Sequence, residues 1–298
     1  MKTEGCWPAL LTPLDADGEP CPAAIERLVE LFVRQNLGGL YIIGSTGQWP
    51  LLRLDQRRTV AERVVQASAG RIPVMVHVGA IATDDAVALA EHAAQIGADA
   101  VSCVAPVYYP TTADMTFEHY RRIGAASRLP LYVYHLSIVN QSSLDPQDYV
   151  QRLLALPNIA GMKITDGDMY QFGLLHSYAG NQLKLFSGAD EVLCHAALSG
   201  ACGAIGTFYN VWGPACQAAR QRFVTGDVAL GYRFMLAFQR AISEIIRSKS
   251  IWTFLRAAMQ RRYQIDIGRP RGPLGSMDKP WADADVDRLL ASVDQAAL

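Results

Sequence analysis

What this chain has little of narrows its function before any motif is read. Charge excess is almost nil: 27 Lys and Arg stand against 28 Asp and Glu, for a net charge of −1. No basic run is interleaved with aromatics, so neither nucleic acid nor an anionic membrane surface has electrostatic grounds to bind, and a small-molecule ligand is expected instead. No stretch of about 18 apolar residues occurs, which argues against a membrane-spanning helix. The opening MKTEGCWPALL reaches a proline and a charged turn before an export-length apolar core can form, so a cytoplasmic protein is expected. The six cysteines (Cys6, Cys21, Cys103, Cys194, Cys202 and Cys216) contain no CxxC pair and no regular framework, and read as reduced packing thiols. The six histidines lack HxxxH or HxH ligand spacing, and His92, His119 and His176 fall on outer helices, so no metal site is expected. A GxSxG elbow is missing, which leaves a serine hydrolase without its nucleophile.

What is present is a repeat of short apolar runs, each followed by a segment of helical spacing. Half of the 298 residues are hydrophobic, enough for one large α/β core. Candidate strands centre on Pro8 to Leu11, Gly39 to Ile43, Val74 to His77, Ala100 to Val104, Leu131 to Tyr134, Gly161 to Ile164, Leu183 to Phe186 and Ala204 to Thr207. Helices read at Ala23 to Arg34, Asp55 to Ala69, Asp84 to Ile96, Thr116 to Ser127, Pro146 to Leu154, Met169 to Tyr178, Asp190 to Leu198 and Pro214 to Phe223, with Gly97 and Gly200 placed as C-terminal stops. Eight βα units without a glycine fingerprint after the first strand predict a closed (β/α)8 TIM barrel rather than an open doubly wound sheet. Beyond residue 225 the pattern is helical only, at Ala229 to Ser248, Trp252 to Arg262 and Asp283 to Ala296, with a Gly/Pro-rich turn at Gly268 to Gly272. Residues 1–225 are therefore expected to form the barrel and residues 226–298 a helical appendage packed on it as one folded unit.

In such a barrel the chemistry belongs to the carboxyl ends of the strands. Lys163 stands inside an apolar strand where period-two alternation puts Gly161, Lys163 and Thr165 on one face and Met162 and Ile164 on the other. With the bulky pair toward the helices, Lys163 faces the interior, where burial depresses an amine's pKa and leaves it able to attack a carbonyl. A lysine snorkelling to solvent, or one held in a structural ion pair, is the competing explanation. Tyr134 alone is an ordinary strand-end aromatic, but with Ser45 and Thr46 on the same rim it becomes a candidate for proton transfer. The Gly44-Ser45-Thr46-Gly47 turn offers N–H groups and two hydroxyls to a carboxylate. Asp190 and Glu191 fit either substrate binding or the first turn of the following helix, where the dipole favours acids.

In order along the chain, GCWPALLTPLD, YIIGSTGQ, PVYYP, the tyrosine of LYVYH, the lysine of GMKITDGDMYQ, and GADEVLCHAALSGACGAIGTFYN together resemble the N-acetylneuraminate lyase and dihydrodipicolinate synthase superfamily of class I pyruvate aldolases, from Gly5 to about Pro273. The resemblance implies that Lys163 is the Schiff-base lysine, Tyr134 the proton-shuttling tyrosine, and Ser45 and Thr46 the carboxylate site. No metal or organic cofactor is implied. The ALLTPLD opening, Ser45, KITDGDMYQ and GADE…GAIGTFYN are similar to the sialic acid lyase branch, in which the positions of Thr165, Gly188, Asp190, Glu191 and Thr207 contact a polyhydroxylated tail and that of Trp252 is usually aromatic. The implied reaction is cleavage of a 2-keto-3-deoxy sugar acid, N-acetylneuraminate first among them, to pyruvate and an aldehyde. Another pyruvate-dependent aldolase, dehydratase or synthase, or a sugar-acid-binding sensor, would use the same barrel. The stretch from His135 to Asn140 has no arginine, against the synthase branch. The resemblance also implies a homotetramer in which Tyr108 or Tyr109 approaches a neighbour's site. Gln48 where the family usually has Glu, Ser137 where it usually has Pro, and a loop to Asn140 without the customary Gly are departures that bear on the aldehyde half.

Overall fold

A computed structural model describes residues 3–136 and 144–298. Among them eight parallel strands alternate with helices as a (β/α)8 TIM barrel. The strands are β1 (Gly5–Pro8), β2 (Leu40–Ile42), β3 (Val74–His77), β4 (Ala100–Val104), β5 (Leu131–Leu136), β6 (Ile159–Thr165), β7 (Lys184–Ser187) and β8 (Gly203–Gly206), hydrogen-bonded in the order β1-β8-β7-β6-β5-β4-β3-β2. The ring closes where Ala9 bridges Tyr41 and the Leu10 N–H donates to the Tyr41 carbonyl at 2.8 Å. Strands β3 and β4 are buried along their whole length, as parallel strands covered on both faces must be.

The helices of the barrel are α1 (Pro22–Arg34), α2 (Leu54–Ser68), α3 (Thr83–Gln95), α4 (Ala113–Ala126), α5 (Pro146–Leu154), α6 (Met169–Ala179), α7 (Leu193–Leu198) and α8 (Tyr209–Val224). Their starts are set by side chains that satisfy first-turn N–H groups: Thr112 accepts from Met115, Asp145 from Gln147 and Asp148 ahead of Pro146, and Asp168 from Gln171. Gly97 and Gly200 take positive φ just past α3 and α7.

Several boundaries differ from the sequence expectation, among them α4, which starts at Ala113 behind its Thr112 cap rather than at Thr116, and three further cases. Strand β1 begins at Gly5 because its ladder with β8 runs Gly5 to Gly203 through Pro8 to Gly206, after which the chain crosses to β2. The segment from Asp190 opens with a 3-10 turn, Asp190–Val192, and a non-helical Val192 before α7. Helix α8 starts before Pro214, with a kink at Trp212 (φ −112°, ψ 24°), since Pro214 has no N–H to continue the ladder.

Trp7, Ala9, Tyr41, Met75, Ala100, Tyr132, Phe186 and Ile205 fill the barrel interior as a cluster separate from the larger one between sheet and helices. Past the barrel, α9 (Val228–Arg247), α10 (Ile251–Tyr263) and α11 (Asp283–Ala296) gather around α8. Trp212 stacks on Phe254 at 5.8 Å and meets the edge of Phe238 at 6.0 Å. The strand-free segment after α10 returns to the barrel mouth, where Leu14 N–H donates to the Ile267 carbonyl. Among the described residues no helix is long and apolar enough to cross a membrane.

Candidate active site

Alternation along β6 sends Met162 and Ile164 into the outer core and Lys163 into the interior, where it is 4% exposed. Its register partners are Tyr134 on β5 and Phe186 on β7. The amine lies 4.3 Å from the ring centroids of both Tyr41 and Tyr134, and among the described residues it has no ion-pair partner. It therefore neither snorkels to solvent nor is neutralised by a bridge. Burial holds its pKa below the ordinary lysine value, opposed in part by the Tyr134 hydroxyl and the Asp190 carboxylate. An amine in this setting gives up its proton more readily than one in water, which is what attack on a ketone requires.

Tyr134 is buried, and its hydroxyl accepts a hydrogen bond from Thr165 at 3.3 Å. Gly188, at the end of β7, presses against the same pair. A Cβ there would run into the Thr165 hydroxyl and come within 3.0 Å of Lys163 Cε, so only glycine lets the strand approach. Asp190 is also buried. Its two carboxylate oxygens accept from the N–H groups of Thr207 (3.0 Å) and Phe208 (3.1 Å), bracing the turn after β8. Burial and the neighbouring Glu191 raise its pKa to about 7 against the pull of those two N–H donors and of Lys163. Glu191 itself is exposed at the rim.

Opposite Lys163, the turn after β2 begins at Ile43, whose φ of 56° is costly for a β-branched residue, by about 1–3 kcal/mol. The main chain then reverses through Gly44 to Gly47. Gln48 N–H returns to the Ser45 carbonyl and Trp49 N–H to that of Gly44, leaving the Ser45 and Thr46 N–H groups without a main-chain acceptor among the described residues. Thr12 donates to the Gly47 carbonyl at 2.9 Å, and the Gln48 side chain accepts from Arg271 N–H at 2.7 Å, fixing the turn from both sides. The Thr46 and Thr207 hydroxyls are hydrogen-bonded at 2.6 Å across the mouth, while Ser45 is open to solvent.

Lys163, Tyr134, Thr165, Gly188, Asp190, Thr207 and Thr46 are thus brought together, with Ser45 and Glu191 at the edge. Trp252 sits at the start of α10, half-buried in a cleft with Asp278, whose carboxylate accepts its N–H. Tyr108 and Tyr109, in the loop after β4, are 74% and 73% exposed and meet edge to face. Ser137 and Asn140 lie outside the described residues. Two neighbours carried no functional expectation from sequence: Tyr41 beneath the amine, and the wholly buried His77 at the end of β3, with Arg57 of α2 behind it. Their only signal was the inward phase of their strands. Among the described residues no group of three His, Cys, Asp or Glu is placed to hold a metal ion.

A buried lysine with no ion-pair partner among the described residues, beside a tyrosine at the carboxyl end of a parallel barrel and across from a turn whose N–H groups lack a main-chain acceptor among those residues, is the arrangement that amine attack on a keto acid needs. The chain belongs to the dihydrodipicolinate synthetase family, whose model matches residues 2–290. It is 32% identical over 282 residues to the N-acetylneuraminate lyase of Salmonella agona, covering 94% of each chain. Among solved structures it resembles the sialic acid aldolase of Ruminococcus gnavus (TM-score 0.91, 23% identity, 99% and 98% of the two chains) and the N-acetylneuraminate lyase of Proteus mirabilis (TM-score 0.86, 28% identity, 99% of each).

Proposed function

We propose that this protein cleaves N-acetylneuraminate to pyruvate and N-acetylmannosamine through a Schiff base on Lys163. It is a carbon–carbon lyase of the class I aldolase type. The observation that carries the assignment is the Lys163 amine, buried, without an ion-pair partner among the described residues and held on the faces of Tyr41 and Tyr134. The names of its relatives support the substrate.

Lys163 adds to the C2 ketone of the open-chain acid while the Ser45 and Thr46 N–H groups and hydroxyls hold the carboxylate. Tyr134 gives its proton to the departing C2 oxygen, which leaves as water from the carbinolamine, and the resulting phenolate then takes the proton of the C4 hydroxyl. The C3–C4 bond breaks, its electrons flow into the iminium, and the aldehyde departs. The enamine gains a proton at C3, and water returns pyruvate and the free amine. Thr165, Gly188, Asp190, Glu191 and Thr207 line the side from which the hydroxylated tail would enter, and Trp252 stands farther along the C-terminal helices. No cofactor takes part, because the protonated imine is the electron sink.

The same reading makes the enzyme a homotetramer, with exposed Tyr108 or Tyr109 reaching a neighbour's site, and keeps it in the cytoplasm, in line with six free cysteines. It also takes residues 1–225 and 226–298 as one folded unit, supported by the Trp212, Phe238 and Phe254 contacts.

Borohydride added with pyruvate is expected to fix a covalent adduct on Lys163, located by mass spectrometry. Because the neutral amine is the nucleophile and burial favours it, the trapping rate is expected to rise with pH about a midpoint below the 10.5 of an ordinary lysine. An adduct on another lysine sinks the assignment. Trapping without pyruvate release from N-acetylneuraminate sinks the substrate but leaves the chemistry.

A further inference from the structure

We infer that His77 is a positioning residue for this reaction, a spacer that fixes Tyr134 relative to the carboxylate-binding turn. The inference rests on the Schiff-base reading above and extends it to a side chain with no part in the proton transfers.

The geometry is a triangle of rings. His77 lies 6.1 Å from Tyr41 and 6.2 Å from Tyr134, centroid to centroid, and those two tyrosines are 6.4 Å apart. The Lys163 amine rests on the faces of the two tyrosines. His77 also meets Trp49 at 5.4 Å, and Trp49 opens the short 3-10 turn that follows Ser45 and Thr46. The imidazole therefore contacts both the element that carries the carboxylate site and the ring that carries the acid–base hydroxyl.

Its own place is fixed from behind. The buried Arg57 guanidinium donates to the His77 carbonyl and to the Gly79 carbonyl, both at 2.8 Å, locking the end of β3. The space also fits this ring and little more: a Cβ on Gly79 would fall 2.7 Å from His77 Cε1 and 2.9 Å from Nε2. Neither ring nitrogen has a hydrogen-bond partner among the described residues, although both are buried. A buried polar atom without a partner is costly, and an apolar side chain would avoid that cost, so ordinary core packing does not account for an imidazole here. Burial, Arg57, Lys163 and His119 all oppose its protonation; the Ile43 main chain favours it without reaching hydrogen-bond geometry. The ring is neutral, and it adds no second cation beside the amine.

The test compares wild type with His77→Leu, which removes the flat ring, and His77→Asn, which keeps a planar polar group. Borohydride trapping of pyruvate counts the folded sites with a competent Lys163, and kcat and KM for N-acetylneuraminate are expressed per trapped site. A displacement of about 1 Å in a reacting group costs on the order of 10²-fold in rate, so His77→Leu is expected to lower kcat by about 10- to 100-fold per trapped site, with KM and trapping changed by less than about threefold. His77→Asn is expected to recover part of that loss. Wild-type kcat per trapped site in His77→Leu overturns the inference, as does a loss confined to the number of trapped sites, which would mark a purely structural residue. Should wild type trap pyruvate without cleaving N-acetylneuraminate, the substrate reading fails separately. The comparison then moves to exchange of the pyruvate methyl hydrogens in D2O, which needs the iminium and a proton acceptor but no aldehyde: slower exchange per trapped site in His77→Leu supports the spacer, and unchanged exchange overturns it.

Discussion

Tyr134 carries two duties that substitution can separate, since its ring supports the Lys163 amine and its hydroxyl accepts from Thr165. Tyr134→Phe keeps the first and removes the second. It is expected to lower kcat by about 10²–10⁴-fold, as for loss of a positioned acid–base group, while pyruvate is still trapped on Lys163 but more slowly, since water must then supply the proton that expels the C2 oxygen; near wild-type turnover would reduce Tyr134 to a packing aromatic. Asp190 makes a prediction in pH. Its folded-state pKa is raised from 3.8 to about 7, so folding favours the protonated acid, and its contribution to stability is full below 3.8 and lost as pH rises through about 7. Asp190→Asn removes that titration. The variant is expected to be less stable throughout, because its amide N–H faces one of two main-chain donors, yet its melting temperature should vary less than the wild type's across roughly pH 4 to 7. An unchanged slope would mean that the carboxyl is not perturbed. Lys163 was legible because a cation in an apolar strand has few explanations, and alternation gave its direction. His77 and Arg57 were not: a strand-end histidine and a helical arginine are ordinary in sequence, and only tertiary packing makes their burial unusual.

At the scale of elements, β3, β4, α5 and α11 fall where periodicity and end signals put them, because each is bounded by residues that act locally. Two of the misplaced boundaries depend on partners distant in sequence. Strand β1 takes its start from β8 some two hundred residues later, and the turn at Asp190 is tightened by the N–H groups of Thr207 and Phe208. The approach of β7 to β6 is of the same kind, and Gly188→Ala tests it. The added methyl has no room between the Thr165 hydroxyl and Lys163 Cε, so a stability loss of about 1–3 kcal/mol is expected. A displaced amine should also lower turnover by about tenfold or more. Unaltered melting and unaltered kcat would show that the two strands yield at no cost.

For the molecule as a whole, the proposed tetramer has a direct measure. Light scattering is expected to give four times the 32.5 kDa of one chain, and Tyr108→Ala with Tyr109→Ala is expected to weaken both assembly and turnover, since two exposed aromatics on one loop are poor company for water. A fully active species of one chain mass would remove the proposal. Barrel class and appendage were readable from the count of βα units, whereas oligomeric state has no periodicity to betray it. The closure of the ring also bears on how the chain is made. Strand β1 is the first to be synthesised, yet its four-residue ladder is with β8, and its seam with β2 is the Ala9 bridge and the Leu10 bond to Tyr41. On the ribosome, Trp7 and its neighbours therefore wait, apolar and unpaired, until Gly203–Gly206 has cleared the exit tunnel. Lys163 and Tyr134 will have emerged by then, but the ring that holds them will not yet be closed, so a nascent chain arrested before β8 should contain every residue of the Schiff-base pair and form no adduct with pyruvate.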